Sequence, residues 1–208
     1  MKLISEGIRD GEAIPEKFTF CILDEAGEVI LGPNRNPDFT WEGLPEGTES
    51  LVLICHDPDA PADSADVNKA GKTVAEDAPR ADFFHWVLID IPADSSGIIE
   101  GGFSNGVVPG GKDDLHAAQD TRQGINSFTS WFEGAGDMEG EYVGYDGPAP
   151  PWNDNRVHTY VFSLYALETD DLGLGYWFTA EEVLEAIEDY TLAKATLSGT
   201  YTLNASLK

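Results

Sequence analysis

The stretch Leu51–Pro61, LVLICHDPDAP, joins an apolar run to a cluster of ionisable residues. Leu51–Cys55 is unbroken by polar residues and reads as a buried strand. His56, Asp57, Pro58, Asp59 and Pro61 follow at once. A carboxylate at the end of a buried strand is costly unless it is paired or hydrogen-bonded. A chain with this feature must arrange its core strand so that one end opens onto a polar pocket.

Similar short runs recur at Phe18–Leu23, Asp38–Trp41, Phe84–Ile91, Val157–Leu167 and Ala195–Leu203. Between them stand GPNRNP (Gly32–Pro37) and EGLPEGT (Glu42–Thr48), rich in the residues that form turns. Many short strands joined by such turns predict a mainly β fold, a sandwich or barrel, as a single domain over residues 1–208. One helix is expected. Thr179 caps it, Glu182 completes a capping box, and Val183, Leu184 and Ile187 supply its apolar stripe. Residues 62–82 read as a polar excursion. Residues 101–147 read as a loop-rich segment, long enough to point to function.

Charge excludes several partners. Twelve Lys and Arg against 38 Asp and Glu give a net charge of −26. Such a surface repels nucleic-acid phosphate and anionic lipid headgroups. No run approaches the roughly 18 apolar residues of a membrane span. The N-terminus, MKLISEGIRDGEAIP, turns polar at once, which predicts no secretory signal and a cytoplasmic location. Cys21 and Cys55 sit in apolar runs without CxxC or zinc-ligand spacing, and are expected to be reduced, buried thiols.

Three strand ends carry candidate chemistry. Asp57 follows the strand Ser50–His56, while His85 and His158 open two others. If the first strand runs antiparallel to the other two, all three residues share one end of the sheet. Two imidazoles would then offer N–H donors to an anion. The carboxylate would raise their pKa or accept a ligand ammonium group. The prolines of YDGPAPPWND (Tyr145–Asp154) make a stiff wall. A small zwitterion or a phosphate-like headgroup suits that mixture. Asp57, Asp59, His85 and His158 are also acceptable metal ligands, but no short spacing such as HExxH joins them, and no cofactor is expected. Hydrolysis lacks a GxSxG nucleophile, and Cys55 is buried by its neighbours. His56 and His116 read as surface histidines.

The blocks GPNRNPDFTWEGLPEGTESLVLICHDPDAP, HWVLIDIPAD, YDGPAPPWNDNRVHTYVFSLYALE and LSGTY occur in this order, after IPEKFT near the N-terminus. Together they resemble the phosphatidylethanolamine-binding protein family, most closely its bacterial and archaeal Raf kinase inhibitor-like branch. The resemblance implies a large antiparallel β-sandwich with a few peripheral helices and an anion-accepting pocket at one end of the sheet. It implies that Asp57, His85 and His158 line the pocket with Tyr160 beside them. Pro61 and the turn Gly147, Pro148, Pro150 and Pro151 would shape its rim. Asp59 matches the second acid of the DPDAP block, with ligand contact and turn capping as its two readings. Thr159 stands where the family often has Arg, and EDYTL where a Gly-His is common.

The resemblance further implies a non-catalytic binding protein for a phosphate- or phosphoethanolamine-like ligand, a regulatory kinase or protease inhibitor, and a homodimer. The residues alone leave two alternatives open. One is a hydrolase or metal-dependent enzyme at the same pocket. The other is a protein-interaction module with residues 62–82 and 101–147 as its partner surface.

So acidic a chain fits a saline habitat, where salt screens the self-repulsion of the folded state. Its melting temperature is expected to climb steeply with added KCl, and a flat response would contradict that reading.

Overall fold

The structure, a computed structural model, describes residues 1–112 and 120–208, so His116 lies outside the described residues. Among the described residues the strands are β1 (Lys2–Ile4), β2 (Cys21–Leu23), β3 (Val29–Leu31), β4 (Thr40–Glu42), β5 (Ser50–Pro61), β6 (Arg80–Pro92), β7 (Arg122–Gln123), β8 (His158–Leu167) and β9 (Thr191–Tyr201). Two short helices are α1 (Phe128–Trp131) and α2 (Ala180–Ala186). The fold is mainly β, as expected. An antiparallel five-stranded sheet in the order β7-β6-β5-β8-β9 forms its centre, and β1–β4 and β2–β3 are two-stranded ribbons.

The central strands bury both faces. Leu51, Leu53 and Cys55 pack with Trp86, Leu88, Phe162 and Leu164 on one face, together with Leu3 and Trp41 of the β1–β4 ribbon. Val52, Ile54, Val87 and Ile89 point the other way, against Phe178, Ala180, Val183 and Ile187 around α2. A strand covered on both sides has no polar face, which is why LVLIC shows no alternation. The capping box of α2 is present: Thr179 Oγ1 accepts from the Glu182 amide at 3.5 Å, and Glu182 Oε2 accepts from the Thr179 amide at 2.8 Å.

Several boundaries differ from the sequence reading. The strand expected to end at His56 continues to Pro61, so Asp57 lies within β5, opposite Phe83. β6 begins at Arg80, so the end of the 62–82 excursion is strand. Of the strand expected over Phe18–Leu23, only Cys21–Leu23 is paired as strand, and a 3-10 turn over Glu16–Phe18 takes its first residue. β1, β3, β7 and α1 were not anticipated, because segments of two to four residues are too short to display a hydrophobic period.

Two irregularities in the β5–β6 ladder position the site. Cys55 pairs with Trp86 but His56 pairs with Phe84, which leaves His85 as an unpaired extra residue. Such a bulge re-aims a side chain. It lets His85 share the Cys55 face with Trp86 although Phe84 faces α2. Asp57 pairs with Phe83 and Ala60 with Ala81, so Pro58 and Asp59 stand opposite Asp82 alone. A bulge is one of the few places in a sheet where proline, with no N–H to donate, is accommodated. Among the described residues no helix is long and apolar enough to cross a membrane.

Phe162 is fully buried at the middle of β8, its ring centroid 5.0 Å from that of Phe39. Phe162→Ala is expected to cost about 3–5 kcal/mol, read as a lower urea midpoint at unchanged slope.

Candidate functional site

β5 and β8 run antiparallel, as do β5 and β6, so Asp57, His85 and His158 meet at one end of the sheet. All three are buried, with Tyr160 fully so. They close a cavity of about 240 Å³ whose walls also include Pro61, Pro150 and Pro151. The remaining wall is largely aromatic: Phe83, Phe128, Trp131, Phe132 and Trp152. Trp131 and Phe132 come with α1, inside the loop-rich segment, and Val67 and Asn68 come from the excursion.

The buried polar groups form a chain. His158 Nδ1 donates to Asp57 Oδ2 at 2.7 Å, and its Nε2 donates to Asp154 Oδ2 at 3.1 Å. Asp154 also receives both arms of the Arg80 guanidinium. Burial alone would lower the His158 pKa, but the Asp154 and Asp57 carboxylates raise it to about 9. His158 is therefore an imidazolium at neutral pH. Burial opposes ionisation of Asp154, yet His158 and Arg80 hold its pKa below the usual carboxylate value. Two cations and two carboxylates leave the chain electrically neutral.

His85 is held differently. Its Nδ1 donates to the Asp146 carbonyl at 2.7 Å, and the Asp146 amide donates back to the His85 carbonyl at 2.9 Å. Burial lowers its pKa to about 4 and outweighs Asp57, which raises it. The neutral ring thus carries its proton on Nδ1 and a lone pair on Nε2. The Asp146 carboxylate is buried, and burial raises its pKa against the opposing pull of Lys112, Asn34 and Asn126. Those three side chains hold it at 2.8, 2.7 and 2.9 Å. The Tyr160 hydroxyl is buried and directed at the Asp57 carboxylate, without a hydrogen bond of normal geometry; burial, then the Asp57 charge and acceptor, keeps it protonated.

The sequence reading needs three corrections. His158 does not offer an N–H to a ligand, because both its nitrogens are committed to carboxylates. Asp59 does not line the cavity. It accepts from Arg156 at 2.9 Å and from the Thr159 amide at 2.9 Å, a structural role. Gly147 and Pro148 anchor the proline turn from behind. The Gly147 amide donates to Asn34 Oδ1, and the Pro148 carbonyl accepts from the Phe20 and Cys21 amides. A Cβ on Gly147 would stand 2.0 Å from the Phe18 carbonyl, so only glycine fits. His56 is half-buried near Asp82, and Cys21 and Cys55 are free thiols.

Arg80, Asp154 and Asp146 were missed. Their signals were faint: an acid four residues before His158, and one of few arginines at the mouth of a strand. A larger, more open cleft of about 540 Å³ lies elsewhere, edged by Glu133, Glu139 and Glu181, and holds none of the predicted site residues.

The two histidines push stability in opposite directions with pH. His158, at about 9 folded against 6.5 for the free side chain, contributes stability that is complete below pH 6.5 and lost as pH rises through about 9. His85, at about 4, costs stability as pH falls from 6.5, because the unfolded chain takes up a proton that the folded site refuses. Denaturation across pH 5–8.5, below the range where the buried thiols and tyrosines contribute, is expected to show a decline above pH 6.5 that His158→Gln removes. An unchanged alkaline limb in that variant would contradict the assignment.

Comparison with known proteins agrees with this architecture. The family model described as phosphatidylethanolamine-binding protein matches residues 4–202. A UPF0098 protein of Methanothermobacter thermautotrophicus is 33% identical over 201 residues, covering 97% of this chain and 98% of its own. The UPF0098 protein YbhB of Escherichia coli is 27% identical, with coverage of 97% and 99%. The crystal structure of Escherichia coli YbcL superposes with a TM-score of 0.68 at 24% identity over 97% of each chain, a likeness of fold. The chain belongs to the phosphatidylethanolamine-binding protein family.

Proposed function

We propose that this is a non-catalytic binding protein whose cavity takes the oxyanion headgroup of a small ligand, a phosphate- or phosphoethanolamine-like group. The observation that carries the reading is the closed end of the cavity, where Asp57 and His85 both line an enclosed space and the second nitrogen of His85 remains for a ligand. The aromatic walls and the prolines suit the apolar remainder of such a molecule.

The chemistry supports binding over catalysis. Burial, then the Asp57 charge, pushes the Cys55 thiol far above its usual pKa, and Tyr160 is likewise held protonated. Neither is an activated nucleophile. The donor atoms that a metal would need on Asp57, Asp154 and His158 are engaged with one another, and among the described residues no group of three His, Cys, Asp or Glu is arranged to hold an ion. The aromatic mouth also gives a protein partner a place to dock, but the polar groups at the closed end favour a small ligand.

A thermal melt at fixed high ionic strength tests the proposal. O-phosphoethanolamine at about 100 times its dissociation constant adds roughly 2.7 kcal/mol, a rise of roughly 5–10 °C for a chain this size. The rise is expected in the wild type and lost in His85→Ala. No rise at any concentration up to tens of millimolar would remove this ligand class.

A further inference from the structure

We infer that residues 63–74, the outer part of the excursion, form a lid over the cavity with Asn153 as its latch, and that this lid opens as a unit while the central sheet stays closed. Such a lid controls access to the cavity whatever its occupant.

The excursion leaves the sheet through a closed neck. Pro61 of β5 pairs with Arg80 of β6, and the Ala62 amide donates to the Pro79 carbonyl at 2.9 Å. Arg80 also clasps the Ala75 and Ala78 carbonyls at the root. A loop whose ends are joined in this way moves at its tip without disturbing the strands that carry it. The apolar anchorage of the tip is slight: between 63 and 74 only Val67 and Val74 are buried. Segments with few buried apolar contacts open at a fraction of the free energy of global unfolding. Val67 and Asn68 line the cavity, so the moving part is also part of its wall.

One side chain fastens both limbs of this tip. Asn153 is 5% exposed. Its Nδ2 donates to the Asp66 carbonyl at 2.9 Å and the Lys72 carbonyl at 3.1 Å, and its Oδ1 accepts from the Asn68 amide at 2.9 Å. The Asn68 Oδ1 in turn accepts from the Trp152 amide at 3.1 Å. On the returning limb the Val74 amide donates to the Asn153 carbonyl at 3.0 Å, and the Asn155 amide donates to the Val74 carbonyl at 3.0 Å. The lid thus rests on the segment that joins the proline turn to β8. This fastening is polar, and water takes over each of its bonds when the tip swings out. The cost of opening is set by a few hydrogen bonds, each of small net worth, and by two valines.

Amide hydrogen exchange on the full chain, as wild type and as Asn153→Ala, tests the lid. In the wild type the Asn68 and Val74 amides are expected to exchange about 100-fold faster than those of Leu53 and Ile54 in β5, at rates indifferent to low urea. Asn153→Ala should quicken the Val74 and Asn155 amides about tenfold further, although their own bonds join backbone to backbone, and leave Leu53 and Ile54 unchanged. Cys21 carries a free thiol on the same cavity, and its modification by N-ethylmaleimide should quicken by a similar factor. Exchange of Asn68 and Val74 at the β5 rate, with the urea dependence of global unfolding, would overturn the lid. So would an Asn153→Ala protein whose Val74 and Asn155 amides keep their wild-type rates. A Cys21 rate that stays constant while Val74 quickens would show a loop that opens away from the cavity, and would overturn it too. If the variant does not fold, the wild-type exchange pattern decides alone. None of these measurements uses a ligand, so their failure leaves the proposed function standing.

Discussion

The closed end of the cavity depends on one buried imidazolium held between two carboxylates. Asp57 reaches His158 from β5, Asp154 reaches it from the turn before β8, and Arg80 closes the chain from the start of β6. Each member is at most about a tenth exposed, so each charge relies on its neighbours and not on water. Breaking such a group by removing one partner leaves an uncompensated buried charge, at a cost of about 3–5 kcal/mol. The same contacts organise the backbone. Arg80 also holds the carbonyls of Asp59, Ala75 and Ala78, which ties the excursion to the mouth of the cavity.

Two histidines of ordinary intrinsic basicity end up about five decades apart, at about 9 and about 4. Both are buried, so burial cannot separate them. His158 meets carboxylates on both nitrogens. His85 meets peptide carbonyls and packs at steep ring angles among Phe83, Phe128 and Tyr160. One is thereby fixed as a structural cation. The other stays neutral. Environments that drive like groups apart in this way mark a division of roles.

Much of this was legible in the sequence. The β class, the capping box at Thr179 and the convergence of Asp57, His85 and His158 all follow from apolar runs and their polar ends. The engagement of His158 was not legible, because it depends on Asp154 and Arg80, and nothing local links Arg80 to a histidine 78 positions later in the chain. Nor was the bulge at His85. Strict alternation predicts opposite faces for neighbours, and a one-residue slip in register defeats that rule without leaving a glycine or proline at the spot. The proline turn was read as a wall, yet half of it works from behind: Gly147 is pressed against the Phe18 carbonyl while Pro150 and Pro151 face the cavity.

The position of Thr159 shows how a neutral cavity is built in an acidic protein. Its lack of a guanidinium reads in the sequence as the loss of a cation near the site. In the fold, Arg156 reaches Asp59 instead, and the Thr159 amide takes the other carboxylate oxygen. The cation is therefore present, but it serves Asp59 outside the cavity lining. Lys112 and Arg80 are used in the same way, each turned toward a buried carboxylate. The nearby cations Arg80, Lys112 and Arg156 are thus committed to structure, and none of them lines the cavity.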